Sequence, residues 1–302
     1  MNSTQEYSTN IVEGQKYDII IPVGPDDIKF VSKVVEYLIR NFEDINYIYL
    51  ITNFKFVSEL SKKNQKYSKC KVLDEDTILP TLKFKDIQKL IVNRGGYKYR
   101  CGWYFQQFIK YAFAQSVYAG DYYLSWDADT LPLTKISFFD GGNILFNPKK
   151  EYHKPYFKSI NKILGFGKVY GMSFISEHML FSRKIVCEMI HDIESAEGSC
   201  GNWIETIIDS CDFKGHTTDF SEFETYGSYC HIKYPELYKP RHLNTFREAG
   251  YIAGRNIDDR RLKEMSFDLD TVSFEMRHFP KFPHSIPNYI WMVKKKLKEL
   301  LS

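Results

Sequence analysis

The stretch Asp121 to Leu133, D-Y-Y-L-S-W-D-A-D-T-L-P-L, limits the folds open to this chain more than any other. Its apolar run through Tyr122, Tyr123, Leu124 and Trp126 predicts a buried strand. The run stops at two carboxylates one residue apart, Asp127 and Asp129, followed by Thr130 and a proline at 132. Open α/β sheets bind ligands in the crevice beyond the carboxyl ends of their strands, so a strand ending in two acids delivers them to that place. Two carboxylates so close repel each other unless a cation lies beside them. A hard divalent ion suits the position, because Mg2+ or Mn2+ takes oxygen ligands and keeps positions open for substrate phosphates. Spacing alone does not settle the matter, since Asp74-Glu75-Asp76 and Asp268-Leu269-Asp270 repeat it. The apolar strand before 127 and the Thr-Leu-Pro stop after 129 set this copy apart, and a solvated turn is the expectation for the other two.

Upstream, Tyr17 to Val23 (Y-D-I-I-I-P-V) predicts a first strand apolar enough for burial on both faces, as in a parallel sheet. Gly24-Pro25-Asp26-Asp27 closes it in a turn, and residues 28–40 carry helical spacing. Strands over 47–52 and 70–73 then flank a helix over 54–63. This β-α-β-α-β order is the first half of a doubly wound, nucleotide-binding arrangement. Neither G-x-G-x-x-G after the first strand nor G-x-x-x-x-G-K-[ST] anywhere is present, so dinucleotide and P-loop readings lose their support. The glycine-punctuated loop from Asn93 to Trp103 holds Arg94, Lys98 and Arg100, which suits a diphosphate; a solvated loop fits equally. A helix follows over 103–116, with Gln106 and Lys110 four apart on a face other than its core stripe. It leads straight into the acid-bearing strand.

After Leu133 the elements shorten. A strand is expected over 143–147, and Met172 to Ile185 starts as a strand and runs into a helix reaching about Glu194. Inside it Glu177 and His178 sit between apolar residues. Buried unpaired they would cost on the order of a few kcal/mol, so partners or a ligand are expected. A helix over 202–211 precedes a second acidic segment, in which Ser221 caps a helix with Glu222 in its first turn and Glu224 close behind. The rest is basic and aromatic (Lys239, Arg241, His242, Arg247, Arg255, Arg260, Arg261, Arg277-His278). It ends in an amphipathic helix over 287–302 that sets Trp291 and leucines against Lys294, Lys295, Lys296 and Lys298. Two readings of this helix stand: contact with an anionic membrane surface through residues 288–302, or docking on the domain.

Composition narrows the class. A chain of 302 residues with 43% hydrophobic and 16% aromatic residues builds one large α/β domain or two small ones, and is not disordered. A formal charge of +3 does not imply nucleic acid, and no nucleic-acid partner is expected. Six cysteines without a C-x-x-C pair argue against structural zinc and fit reduced thiols in the cytoplasm. Residues 1–16 lack a signal-peptide core, and no apolar run reaches the length of about 18 that spans a membrane.

Five segments carry a family resemblance: I-I-I-P-V at 19–23, G-W-Y-F-Q-Q-F-I-K at 102–110, W-D-A-D-T at 126–130, S-E-H-M-L-F at 176–181 and F-S-E-F-E-T-Y-G at 220–227. With them the chain resembles the GT-A class of metal-dependent nucleotide-sugar glycosyltransferases, and within it bacterial and viral polysaccharide-biosynthesis members. The resemblance implies an α/β, GT-A-like (Rossmann-like) three-layer sandwich with a mixed central sheet and a helical C-terminal extension. It divides the chain into one catalytic domain over 17–260 and an extension over 261–302. Within the domain, 17–133 is the nucleotide-sugar-binding half and 134–260 the acceptor-binding half. The implied reaction moves a sugar from a nucleoside-diphosphate sugar to a hydroxyl of a glycan or lipid-linked acceptor in surface polysaccharide synthesis, with Mn2+ or Mg2+. The implied place is the cytoplasm, at the inner face of a membrane if the last helix rests on one.

By the resemblance the family's D-x-D falls on Asp127 and Asp129, with Asp129 the direct metal ligand and Asp127 nearer the ribose. The base-binding first strand falls on Pro22, Val23 and Gly24. Arg94, Arg100, Gln106 and Lys110 complete the expected donor side, and Glu177 and His178 the acceptor side. In inverting members a later carboxylate deprotonates the acceptor hydroxyl, which points to Glu222, with Glu224 second. The E-D pair common in inverting relatives is absent here, so a retaining route stays open. Two other classes compete. A phosphohydrolase of the haloacid-dehalogenase type also sets D-x-D-x-[TV] after an apolar strand, although Leu131 stands at the fifth position and three strands precede the pair. A noncatalytic carbohydrate-binding module would account for the aromatic surplus.

Overall fold

The computed structural model describes residues 14–213 and 218–278, together with 11, 285, 286, 289, 290, 293, 294 and 297. β1 (Tyr17–Val23) is buried along its whole length. α1 (Val31–Asn41) turns Val31, Val34, Val35, Tyr37 and Leu38 inward, the spacing of one helix face. β2 (Ile45–Thr52), α2 (Phe54–Asn64) and β3 (Cys70–Asp74) follow, with the Asn53 side chain capping α2 by accepting from the amide of Lys55. Next come α3 (Phe84–Asn93), which buries Ile87 and Ile91, and α4 (Cys101–Gln115), reached through a 3-10 turn at Lys98–Arg100. The sequence reading missed α3, whose apolar spacing is brief and lies between charged residues.

β4 (Tyr122–Trp126) is the acid-bearing strand, followed by β5 (Thr130–Pro132), β6 (Phe139–Asp140) and β7 (Asn143–Phe146). After α5 (Lys154–Leu164) comes β8 (His178–Ser182), which starts later than the strand expected from Met172. α6 (Arg183–Ser195), α7 (Trp203–Ser210) and α8 (Glu222–Lys233) complete the larger helices. α8 packs tightly: a Cβ on Gly227 would meet the Phe174 ring at 2.2 Å, which no larger residue tolerates. The remaining elements are β9 (Tyr238–Pro240), β10 (Thr245–Phe246), α9 (Ala249–Ala253), α10 (Asp259–Met265) and β11 (Thr271–Ser273).

The central sheet runs β3-β2-β1-β4-β8. Its first four strands are parallel and β8 is antiparallel to β4, so the sheet is mixed, as the resemblance implies. From β1 the chain steps outward to β2 and β3 and then returns to the other side of β1 as β4. Crossover connections are right-handed, so reversing the direction of travel moves the helices to the opposite face. α1 and α2 accordingly contact each other, whereas α4 contacts α3, α6 and α8.

Two small sheets flank this core, β6-β7-β9 and β10-β11-β5. In the second, β11 pairs antiparallel with β5, matching Ser273 to Thr130. Within the segment expected as an extension from 261, β11 is thus laid against residues just beyond the acid pair. The amphipathic helix expected over 287–302 lies for the most part outside the described residues. Among the described residues, no helix is long and apolar enough to cross a membrane.

Candidate active site

A cleft of about 900 Å³ lies where β1 and β4 end side by side, with Pro22, Asp27, Asp127 and Asp129 in its wall. β1 is the strand at which the chain order reverses, so this is the topological switch point of the sheet. The acids reach it through a tight turn. The amide of Thr130 donates to the carbonyl of Asp127 at 3.2 Å, and the Trp126 indole donates to the carbonyl of Thr130 at 2.8 Å. Distant segments hold the same turn from two sides. The amide of Asp127 donates to the carbonyl of Glu177 at 3.0 Å, and the amide of Phe274 donates to the carbonyl of Asp129 at 2.9 Å.

The two carboxylates meet different surroundings. Asp127 Oδ1 lies 3.3 Å from Lys110 Nζ, which lies 2.6 Å from Glu222 Oε1. Enclosure raises the pKa of Asp127, Lys110 lowers it, and Glu222 and Glu177 raise it again, leaving it above the usual carboxylate range. The side chain keeps 37% of its surface open to the cleft, and solvent there moderates the shift. Burial works against the charge on Lys110, but Glu222 and Asp127 outweigh it and hold the pKa above the usual lysine range. Asp129 forms no ion pair among the described residues; its side chain accepts a long hydrogen bond from the Thr130 hydroxyl, at 3.4 Å. Desolvation first, then Asp127 and Asp27, raise its pKa to about 7, against an opposing pull from Arg255.

α4 and α8 build the facing wall. Three side chains of α4 hold Glu222: Gln107 accepts from its amide at 3.1 Å, Tyr111 donates to its carbonyl at 2.6 Å, and Lys110 binds its carboxylate. Ser221 caps α8 as its sequence position predicts, accepting from the amide of Glu224 at 3.3 Å. Glu222 Oε2 takes no hydrogen bond from any described residue. Arg100, at the N-cap of α4, also lines the cleft; it forms no ion pair among the described residues, and its Nε is buried without a hydrogen-bond partner. An anion placed there would meet both the guanidinium and the positive end of the helix.

The structure thus brings Pro22, Arg100, Gln106, Lys110, Asp127, Asp129, Glu177 and Glu222 to one cleft. Other sequence-predicted residues lie elsewhere. Val23 is buried at the end of β1, and Gly24 sits behind Gln106, where a Cβ would approach the amide nitrogen to 3.3 Å. Arg94 is paired with Asp209 and Glu205 on α7, away from the cleft, because the end of α3 packs beside α7. Glu224 is 1% exposed and accepts from the Ser173 hydroxyl and the amide of Phe174, which leaves it no path to a substrate. His178 stacks on Trp126 with ring centroids 4.8 Å apart; burial, then Arg241 and Lys149, hold its pKa well below the usual histidine range, so it is a neutral core residue.

The sequence reading missed several lining residues. Asp27 forms an ion pair of 2.7 Å with Arg255, and Arg247 binds Glu177 at 2.8 Å and also pairs with Glu151. Glu275 and Arg277 come from the C-terminal segment. The arginines were visible as a basic tail. Nothing in their spacing ties Arg255 to Asp27, 228 positions earlier, or Arg247 to Glu151, 96 positions earlier.

Among solved structures, the chain is similar to mouse xyloside xylosyltransferase 1 in its apo form, at 12% identity, covering 87% of this chain and 99% of that one with a TM-score of 0.48. It is similar to the bifunctional glycosyltransferase WbbM, at 10% identity and TM-score 0.46, covering 89% of this chain and 47% of that one. It is also similar to the galactosyltransferase LgtC in complex with donor and acceptor sugar analogs, at 10% identity and TM-score 0.40, covering 85% of this chain and 86% of that one. No curated protein matches in sequence. Residues 18–252 match the family model described as "Family of unknown function (DUF6492)", and the chain belongs to that family.

Proposed function

We propose that this chain transfers a glycosyl group from a nucleoside-diphosphate sugar to a hydroxyl of a glycan or lipid-linked acceptor, with a divalent ion held by Asp127 and Asp129. The observation that carries the reading is Asp129. It is an acid at the switch point with no cation of its own among the described residues, on a turn pinned from several sides, in a cleft that also presents Arg100 and Glu222. The donor set suits Mn2+ or Mg2+. Among the described residues no group of three or more His, Cys, Asp or Glu would cage an ion, whereas these metals use one or two carboxylates and complete their shell with substrate phosphates. When bound, such an ion supplies Lewis-acid stabilisation of the charge that builds on the departing diphosphate.

The chain's own residues do the rest. Arg100, which forms no ion pair among the described residues, faces the diphosphate. Lys110 is occupied by Asp127 and Glu222, with the Phe223 ring 4.1 Å from its Nζ, so it orients the two acids instead of gripping the donor directly. Glu222, fixed by three contacts and open at Oε2, accepts the proton of the acceptor hydroxyl as the new glycosidic bond forms and the bond to the diphosphate breaks, which gives inversion. Glu177 is buried, with its Oε1 engaged by Lys149 and Arg247, so it fixes the Arg247 guanidinium in the cleft wall on the acceptor side.

A thermal-shift panel of nucleoside diphosphates and their sugars tests the proposal. At least one nucleotide is expected to raise Tm by several degrees with Mn2+ and not with EDTA, and no shift across the panel would refute it. Residues 288–302 are proposed to rest on an anionic leaflet. Deleting them should abolish flotation with anionic liposomes, and unchanged flotation would remove that contact.

A further inference from the structure

We propose that Tyr152, backed by Phe157, is a stacking platform for a neutral sugar unit of the acceptor, one that lies away from the hydroxyl that reacts. This rests on the glycosyl-transfer reading of the cleft and adds the acceptor class: an oligosaccharide, not a single sugar.

Tyr152 is 63% exposed, and among the described residues it is the one large exposed apolar side chain that lines the cleft. Its exposure does not come from a loose loop. The ring stacks on Phe157 of α5 with centroids 5.4 Å apart and planes 14° from parallel. On either side the chain is tied down, with Glu151 paired to Arg247 and His153 Nε2 within 2.8 Å of the carbonyl of Thr218. An exposed aromatic held this firmly presents a ready-made flat surface, and covering it requires little further ordering.

Its neighbours identify what covers it. Glu151, adjacent in sequence, and Arg247, paired with it, line the same cleft, and Lys168 Nζ lies 5.7 Å from the ring centroid; all three are hydrogen-bonding groups that suit hydroxyls better than an acyl chain. A pyranose matches ring and rim together, since its C–H face lies on an aromatic ring while its hydroxyls bond to carboxylate, guanidinium or ammonium groups around it. The cleft is lined by eight carboxylates against five cationic side chains, which disfavours an anionic sugar.

The platform is also remote from the chemistry. From the acid turn, Asp127 bonds to Glu177, Glu177 to Arg247, and Arg247 to Glu151, the residue before Tyr152. A sugar on Tyr152 is separated from the acid pair by Glu177, Arg247 and Glu151 in turn, and so belongs to a part of the acceptor that is bound but unchanged.

The test reads binding, not turnover. Ligand-observed NMR on the full chain with Mg2+ would titrate glucose against maltotriose, galactose against β-1,4-galactotriose, and N-acetylglucosamine against chitotriose. In at least one series the trisaccharide should bind about tenfold more tightly than its monosaccharide. Tyr152→Ala should remove that advantage and Tyr152→Phe should keep it, with Tm unchanged in Tyr152→Phe and lowered by only a few degrees in Tyr152→Ala, which loses the ring contact with Phe157 but leaves the fold intact. The proposal is overturned if no series shows the advantage, or if the advantage survives Tyr152→Ala. Because nothing need turn over, its failure is distinct from failure of the transferase reading, which the nucleotide panel decides.

Discussion

The same three-residue acid spacing occurs at the end of β3 and at the end of β4, and the two regions use it in opposite ways. At Asp74-Glu75-Asp76 the acids are absorbed by local structure. Asp74 Oδ1 accepts from the amide of Asp76 at 3.1 Å, Asp76 Oδ1 accepts from the amide of Phe84 at the start of α3 at 2.8 Å, and Glu75 accepts from Asn53 at 3.0 Å. These carboxylates serve as caps. At Asp127-Ala128-Asp129 the backbone of the turn is satisfied by distant segments, which leaves the carboxylates for Lys110 and the cleft. β3 lies at the edge of the sheet and β4 beside the strand where the order reverses. Two acids after a strand line a cleft when the strand ends at the crevice, and are taken up by local hydrogen bonds when it ends at the rim.

The largest expected difference between the regions is catalytic. Asp129→Ala should lower sugar transfer by about 10³-fold or more, whereas Asp76→Ala should leave turnover unchanged and lose only about 1 kcal/mol of stability with its cap. Donor turnover measured for both with Mn2+ would check this, and equal losses would erase the distinction.

Next comes the wall facing the acids. Glu222→Gln should lower kcat by about 10²- to 10⁴-fold with little change in nucleotide binding, and an unchanged kcat would exclude it as the base.

The smallest effect is thermodynamic. The folded-state pKa of Asp129 is raised to about 7 from an ordinary 3.8, so its contribution to stability is fully present below about pH 4 and lost as pH rises through 7. Asp129→Asn should therefore be more stable than the native chain at pH 8, by about 1–2 kcal/mol after allowing for solvent at the partly exposed carboxyl, and the gain should shrink by pH 5. Thermal unfolding at both values would show it. A gain that does not depend on pH would mean the carboxylate is not the strained group.

How far the chain could be read in advance varies along it. The strands β1, β2, β3 and β4 and the helices α1, α2 and α4 follow from unbroken apolar runs and single-face spacing, because a doubly covered parallel sheet demands both. The Ser221 cap and the place of Glu222 in the first turn of α8 follow from local hydrogen bonding, which needs only neighbouring residues. Of the strands in the two small sheets only β7 was expected, over 143–147; the others, of two or three residues, carry too little pattern to register. The loop cations illustrate the limit. Arg94 and Arg100 stand six residues apart in one glycine-bearing stretch, yet one pairs with α7 and the other faces the cleft.

Residue order alone settled the apolar strand that ends in Asp127 and Asp129, the doubly wound first half and the cap that opens α8, because each depends on contacts within a few residues. Which acid pair lines the cleft, which cations line it beside that pair, and that Glu177, Phe274 and Ser273 brace the acid turn were decided when the chain closed on itself. Those contacts join residues 50 to 145 positions apart, and no local periodicity records a pairing at that distance.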